Sequence, residues 1–95
     1  MTTQPRTVQG VLADQFRITA RISETTGEYH RLLQKVAASA FARQLTEDQP
    51  GPARIKAEQA EIAARQAAEA CESQINDLEQ QLSALGRELE SLTRG

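Results

Sequence analysis

The chain has 95 residues, with 11 basic against 13 acidic side chains and a net charge of −2. That length allows one small domain, and that balance lacks the dense positive field that holds nucleic-acid phosphates. Tryptophan is absent and only Phe16, Tyr29 and Phe41 are aromatic, a composition suited to a helical rod rather than a globular core.

In chain order, Met1–Arg6 carries Pro5 and no apolar stretch of the secretory-signal kind, and residues 1–6 are expected to be a flexible N-terminus. A first helix is expected at about 7–46. Val8, Ile22, Tyr29 and Val36 share one heptad position; Val11, Ile18 and Leu32 share the next, with Leu12, Leu33 and Ala40 flanking. That is an amphipathic helix with a wide apolar stripe. Its weak point is Ser23–Glu28, where Thr25 followed by Glu28 has the form of a capping box that would restart a helix. The stripe keeps its phase from Ile22 to Tyr29, so one continuous helix through Gly27 is expected.

The strongest punctuation follows, at Asp48-Gln49-Pro50-Gly51-Pro52. Pro50 cannot continue a helix and biases Gln49 away from helical dihedrals, while Pro52 suits a helix start with Gly51 as its cap. A turn is expected at 47–52 and a second helix at about 53–93. Nothing in that stretch but Gly86 disfavours a helix, and its last part is a ladder: Ile75, Leu78, Leu82, Leu85, Leu89 and Leu92. Spacings of 3 and 4 average 3.5 residues, which places all six in one seam with Cys71 extending it backward. A seam of that kind is built to lie against another helix.

The two halves are equal in length and fold back on each other at Pro50-Gly51. Alanines near the turn (Ala57, Ala60, Ala64, Ala67, Ala68) would face Leu32, Leu33, Val36, Ala37 and Ala40, and the leucine ladder would face Val8 to Ile22. In that register Arg31 and Lys35 fall level with Glu69, and Arg21 with Glu79. The expected fold is therefore all-α, an antiparallel two-helix coiled-coil hairpin, able to assemble further into a helical bundle. The competing arrangement, a parallel zipper through Ile75–Leu92, would lack basic residues at its flanking positions to pair the acids.

Little in the sequence carries chemistry. His30 and Cys71 are the only histidine and thiol, and fall level in the hairpin, so a Cys–His pair is one reading. The other is that Cys71 fills space in the seam and His30 is solvated. Glu58/Glu61 and Glu69/Glu72 have the spacing of paired carboxylates. They read more simply as the solvated face of a helix, with Glu61–Arg65 as a supporting pair. Arg17, Arg21, Arg31 and Lys35 form a stripe that Glu24 and Glu28 interrupt. No catalytic residue, metal site, cofactor or small-molecule substrate is expected. The lone cysteine suits a reducing compartment, and the expected location is cytoplasmic, with no membrane span.

Four bulky apolar residues fall outside the seam near the turn: Phe41, Leu45, Ile55 and Ile62. They are the expected partner-binding residues, because a hairpin buries one seam and exposed apolar clusters mark contact surfaces. Their occupant would be a foreign protein or a second copy in a homodimer or larger bundle. The expected function is a non-enzymatic adaptor, co-chaperone or inhibitor working through helix–helix contacts. A small dimeric nucleic-acid-binding regulator is the alternative. In plan the chain is also similar to secretion-system hairpins and their small chaperones, and to phage-encoded proteins that block a host protein. It lacks the Trp-x-Gly that WXG-type secreted proteins carry at the turn. These are likenesses of shape.

Overall fold

A computed structural model describes residues 6–94; residues 1–5 of the expected flexible N-terminus and Gly95 lie outside it. Two helices, α1 (Val8–Leu45) and α2 (Gly51–Thr93), pack side by side as an antiparallel all-α hairpin. Forty-three residues at 1.5 Å each give α2 a length of about 65 Å, and the molecule measures 69 × 26 × 15 Å. No helix among the described residues is long and apolar enough to cross a membrane.

Thr7 opens α1. Its backbone is extended and its Oγ1 accepts a hydrogen bond from the Gly10 amide at 3.0 Å, satisfying one of the helix's unpaired donors. The helix then runs unbroken through Ser23–Glu28, and the capping box that Thr25 and Glu28 could have formed is not used. At its end Thr46 folds back on Arg43, whose carbonyl accepts from both the Thr46 amide (3.1 Å) and the Thr46 hydroxyl (2.9 Å). Gln49 then closes a turn onto the Thr46 carbonyl at 3.0 Å. Pro50, with ψ at 149°, keeps the chain extended for one residue and caps α2, which starts at Gly51, with Pro52 in its first turn. Prolines are tolerated there because the first amides of a helix have no intrahelical acceptor.

Burial follows the heptad. On α1 the covered heptad positions are Val11, Gln15, Ile18, Ile22, Thr25, Tyr29, Leu32, Val36, Ser39 and Arg43, alternating by 4 and 3, with Gly10, Asp14, Thr26, Gly27 and Ala40 half-buried beside them. On α2 they are Ala57, Glu61, Ala64, Ala68, Cys71, Ile75, Leu78, Leu82, Leu85 and Leu89, with Leu92 at the margin. Val11, Ile18, Ala64, Ala68, Cys71 and Leu78 are the buried apolar residues, and Val11 alone is fully sealed. The remaining covered apolar residues, including Ile22, Tyr29, Val36, Ile75, Leu82, Leu85 and Leu89, are half-buried, because one partner helix cannot enclose a side chain.

The stripe is narrower than the sequence suggests. Ala60, Ala67, Leu33 and Ala37, expected to pack near the turn, are exposed. They sit one position outside the seam, and only a third helix would reach them. The place next to Ala57 and Ala64 is taken instead by Glu61, which is buried.

Gly27 and Gly86 lie inside helices, with no positive φ at any described glycine. A Cβ at Gly86 would meet nothing within 4 Å, and one at Gly27 only the Arg31 side chain at 3.9 Å. Neither glycine answers a steric need, so Gly27→Ala and Gly86→Ala should each stabilise the hairpin by about 0.5–1 kcal/mol through helix propensity. Thermal melts followed by circular dichroism check this. A drop in melting temperature at Gly27 would mean that the helix bends there in solution.

Candidate interaction surface

The two flanks of the hairpin differ in charge. On one, α2 presents Glu58, Arg65, Glu72 and Glu79 at seven-residue intervals, with Ile55, Ile62 and Glu69 just outside them. α1 answers with Leu12, Thr19, Thr26 and Leu33, and with Phe16 and His30 beside them. On the other flank α1 carries Arg17, Arg21, Arg31 and Lys35 among Asp14, Glu24 and Glu28. Here Arg17 and Arg21 border shallow grooves with Gln74, Asp77 and Gln81 of α2.

This separation corrects the expected cross-helix ion pairs. Arg21 and Glu79 stand on opposite flanks, as do Arg31 and Glu69. Arg31 bonds Glu28 of its own helix at 2.7 Å instead, and Arg17 bonds Asp14 at 3.2 Å. The level was right and the face was wrong, because in an antiparallel pair each flank joins like heptad positions of the two helices.

The ion pairs that do cross sit at the two ends. At the open end Arg6 donates to Asp14 at 2.7 Å and to Glu88 at 3.0 Å. With Arg17 it holds the Asp14 carboxyl below its ordinary range. Near the turn, Arg43 of α1 and Arg65 of α2 both donate to Glu61, Arg65 at 2.9 Å. Glu61, expected on the solvated face, is buried in the seam, which counting back by sevens from Ile75 through Ala68 reaches. Small neighbours, Ala57, Ala64 and Ala68, leave room for the Arg43 guanidinium to reach across. Its two arginines hold the Glu61 carboxyl below the usual carboxylate range. A buried carboxylate with fixed partners specifies which helix faces which more than it adds stability.

Cys71 is buried, and its thiol donates to the Thr25 carbonyl at 3.3 Å. His30 is exposed, tilted beside Tyr29 with ring centroids 6.2 Å apart. The two share a level but not a face, so no Cys–His pair forms. Tyr29 donates its hydroxyl to Glu72 at 3.2 Å across the hairpin. Desolvation and that carboxylate together raise the phenol above its ordinary value. Among the described residues no three His, Cys, Asp or Glu side chains converge as a metal ion would require.

All four expected partner-binding residues are exposed: Phe41 to 61%, Leu45 to 63%, Ile55 to 52% and Ile62 to 55%. They do not form one patch. Phe41 projects from the back of α1, opposite the seam. Leu45, four residues on, turns to the flank of Arg31 and Lys35. Ile55 and Ile62 share a heptad position on the acidic flank, where Ile62 borders a groove with Arg43, Glu58 and Arg65. The four form a collar around the turn end. Phe16, at 78%, is the most exposed large apolar residue among the described residues and lies far from that collar, toward the open end.

No protein-family model, no curated protein and no solved structure matches this chain.

Glu61's folded pKa is lowered, so its ion pairs stabilise the hairpin above the unfolded value, near 4.5, and that contribution disappears as pH falls through the folded value. The melting temperature of the native chain should therefore fall on acidification below pH 4.5 more steeply than that of Arg43→Leu/Glu61→Leu, which removes both charges. At pH 7 the double variant should melt no lower than the native chain, whereas Glu61→Ala, which strands Arg43, should melt lower. Equal acid sensitivity in native chain and double variant would contradict the assignment.

Proposed function

We propose that the chain is a non-enzymatic protein–protein interaction module, an adaptor, co-chaperone or inhibitor that works in the cytoplasm by helix–helix contact. The observation that carries this reading is the exposure of Phe41, Leu45, Ile55 and Ile62 around the turn end. A hairpin has one seam, and these side chains lie outside it, each more than half exposed in a ring around one end where helices of a partner can reach them. The occupant is a protein helix or a second copy of the chain; two hairpins packed face to face would make a four-helix bundle. Two further features support a binding role over catalysis. The only thiol is sealed in the seam away from the only histidine, and the concave surfaces are shallow grooves between two helices.

Phe41→Asp combined with Ile62→Asp tests the reading. Both sites are exposed, so the cost to folding should stay within about 1 kcal/mol and helicity should be kept. Light scattering on a sizing column should show a lower oligomeric mass for the variant, or capture of a protein partner should be lost. A variant that matches the native chain in helicity, mass and partner capture would sink the proposal.

A further inference from the structure

The flank carrying Glu69, Glu72 and Glu79 has a feature that the collar does not: it joins an apolar floor to three carboxylates that form no ion pair among the described residues. Two shallow grooves run end to end along it and share Arg65. One is floored by Tyr29, Leu33, Val36 and Ala68 and edged by Glu69 and Glu72; the other continues past Ile62 to Glu58. Leu33 is 41% exposed and Ile62 55%, and each is large enough to anchor a neighbouring helix. Further toward the open end the same flank bears Leu12 and Phe16, at 39% and 78%. Leu12 and Leu33 occupy the same heptad position three heptads apart, about 31 Å at 1.5 Å per residue.

The charge identifies the occupant. Among the described residues Glu69 and Glu79 form no ion pair, and Glu72 accepts only from the Tyr29 hydroxyl. The arginines along this flank are already engaged: Arg43 and Arg65 bond the buried Glu61, and Arg54 pairs with Glu58 at 3.6 Å. From Glu69 to Glu79 the groove edge is thus acidic and unanswered, and its floor is apolar. A second copy answers it poorly. A closed pair apposes the same surface on both chains, which would face acids with acids. The bases of the opposite flank are Arg17 and Arg31, bonded within their own helix, and Arg21 and Lys35, which form no ion pair among the described residues. A second copy brings those to these acids only by joining unlike faces head to tail, not in a closed pair.

We propose that this flank takes a foreign amphipathic helix of about three to four heptads, apolar on one face and lined with Arg or Lys, which lies along the groove and completes a three-helix bundle. Its apolar residues rest on Leu33 and Ile62 at one end and on Leu12 and Phe16 at the other. Its basic side chains meet Glu69, Glu72 and Glu79 between them. The inference rests on the reading of the chain as an interaction module, but it places contact on a flank that Phe41 and Leu45 do not share.

The probe is a fluorescein-labelled synthetic peptide of 28 residues with a leucine–alanine apolar face flanked by arginine, beside a twin with glutamate at the arginine positions. Anisotropy titrations use the full chain. The arginine peptide should bind and the glutamate peptide should not. Glu69→Gln with Glu72→Gln and Glu79→Gln should weaken the arginine peptide at least tenfold while helicity is kept. Changing the same three to Lys should reverse the preference between the peptides. Leu33→Asp should weaken binding likewise, and Phe41→Asp with Leu45→Asp should leave it unchanged, which separates this flank from the collar. The proposal is overturned if the arginine peptide fails to bind the native chain, or if it binds the triple Gln variant equally well. It is also overturned if the chain alone is a dimer that Leu33→Asp dissociates, since a second copy would then own this face.

Discussion

Two helices share one seam, and each can bury only the side chains that point into it. Nearly everything else in this molecule follows from that limit. A third or fourth helix would enclose the flanking positions and turn this stripe into a core. Without one, Val11 alone is fully sealed, most seam residues are half-buried, and the flanking apolar positions stay wet. The seam is graded to match. Bulky Ile and Leu fill it toward the open end, alanines line it near the turn, and there Arg43 bonds Glu61 across the seam.

The heptad made most of this legible. Antiparallel pairing, the break at Pro50, the continuity of α1 through Gly27 and the exposure of Phe41, Leu45, Ile55 and Ile62 all follow from counting sevens and placing prolines. What the count did not deliver was the choice of flank. Residues such as Arg21 and Glu79 fall level on paper, yet lie on opposite sides of the rod, because level is one coordinate and azimuth is another. Glu61 escaped for a different reason: a carboxylate was assumed to seek water, although its heptad position put it in the seam. Local identity outweighed pattern in that reading, and here pattern wins, because two arginines supply the partners that make a buried carboxylate tolerable.

The division of charge between flanks gives the hairpin a direction across its width as well as along its length. On the mixed flank, Arg17–Asp14 and Arg31–Glu28 are paired within α1. Among the described residues Arg21, Glu24 and Lys35 leave groups of both signs open there, whereas the open groups of the acidic flank, Glu69, Glu72 and Glu79, are all acids. Surface pairs of the first sort contribute little to stability, about 1 kcal/mol at most, but they settle which charges are satisfied and which still attract a partner. The collar around the turn and the acidic groove are thus separate surfaces, joined only through Ile62.

The hairpin depends on α1 and α2 folding back on each other within one chain. The most direct test is a distance between spin labels at Gln9→Cys and Ser91→Cys in a Cys71→Ala background, with labelled chains diluted in unlabelled ones so that only intrachain pairs report. The two positions lie level at the open end of a rod 26 Å wide, and the account predicts a single distance of that order. A distance beyond about 60 Å, the length of either helix at 1.5 Å per residue, would mean that the helices extend apart and pair only with other chains, and would contradict it.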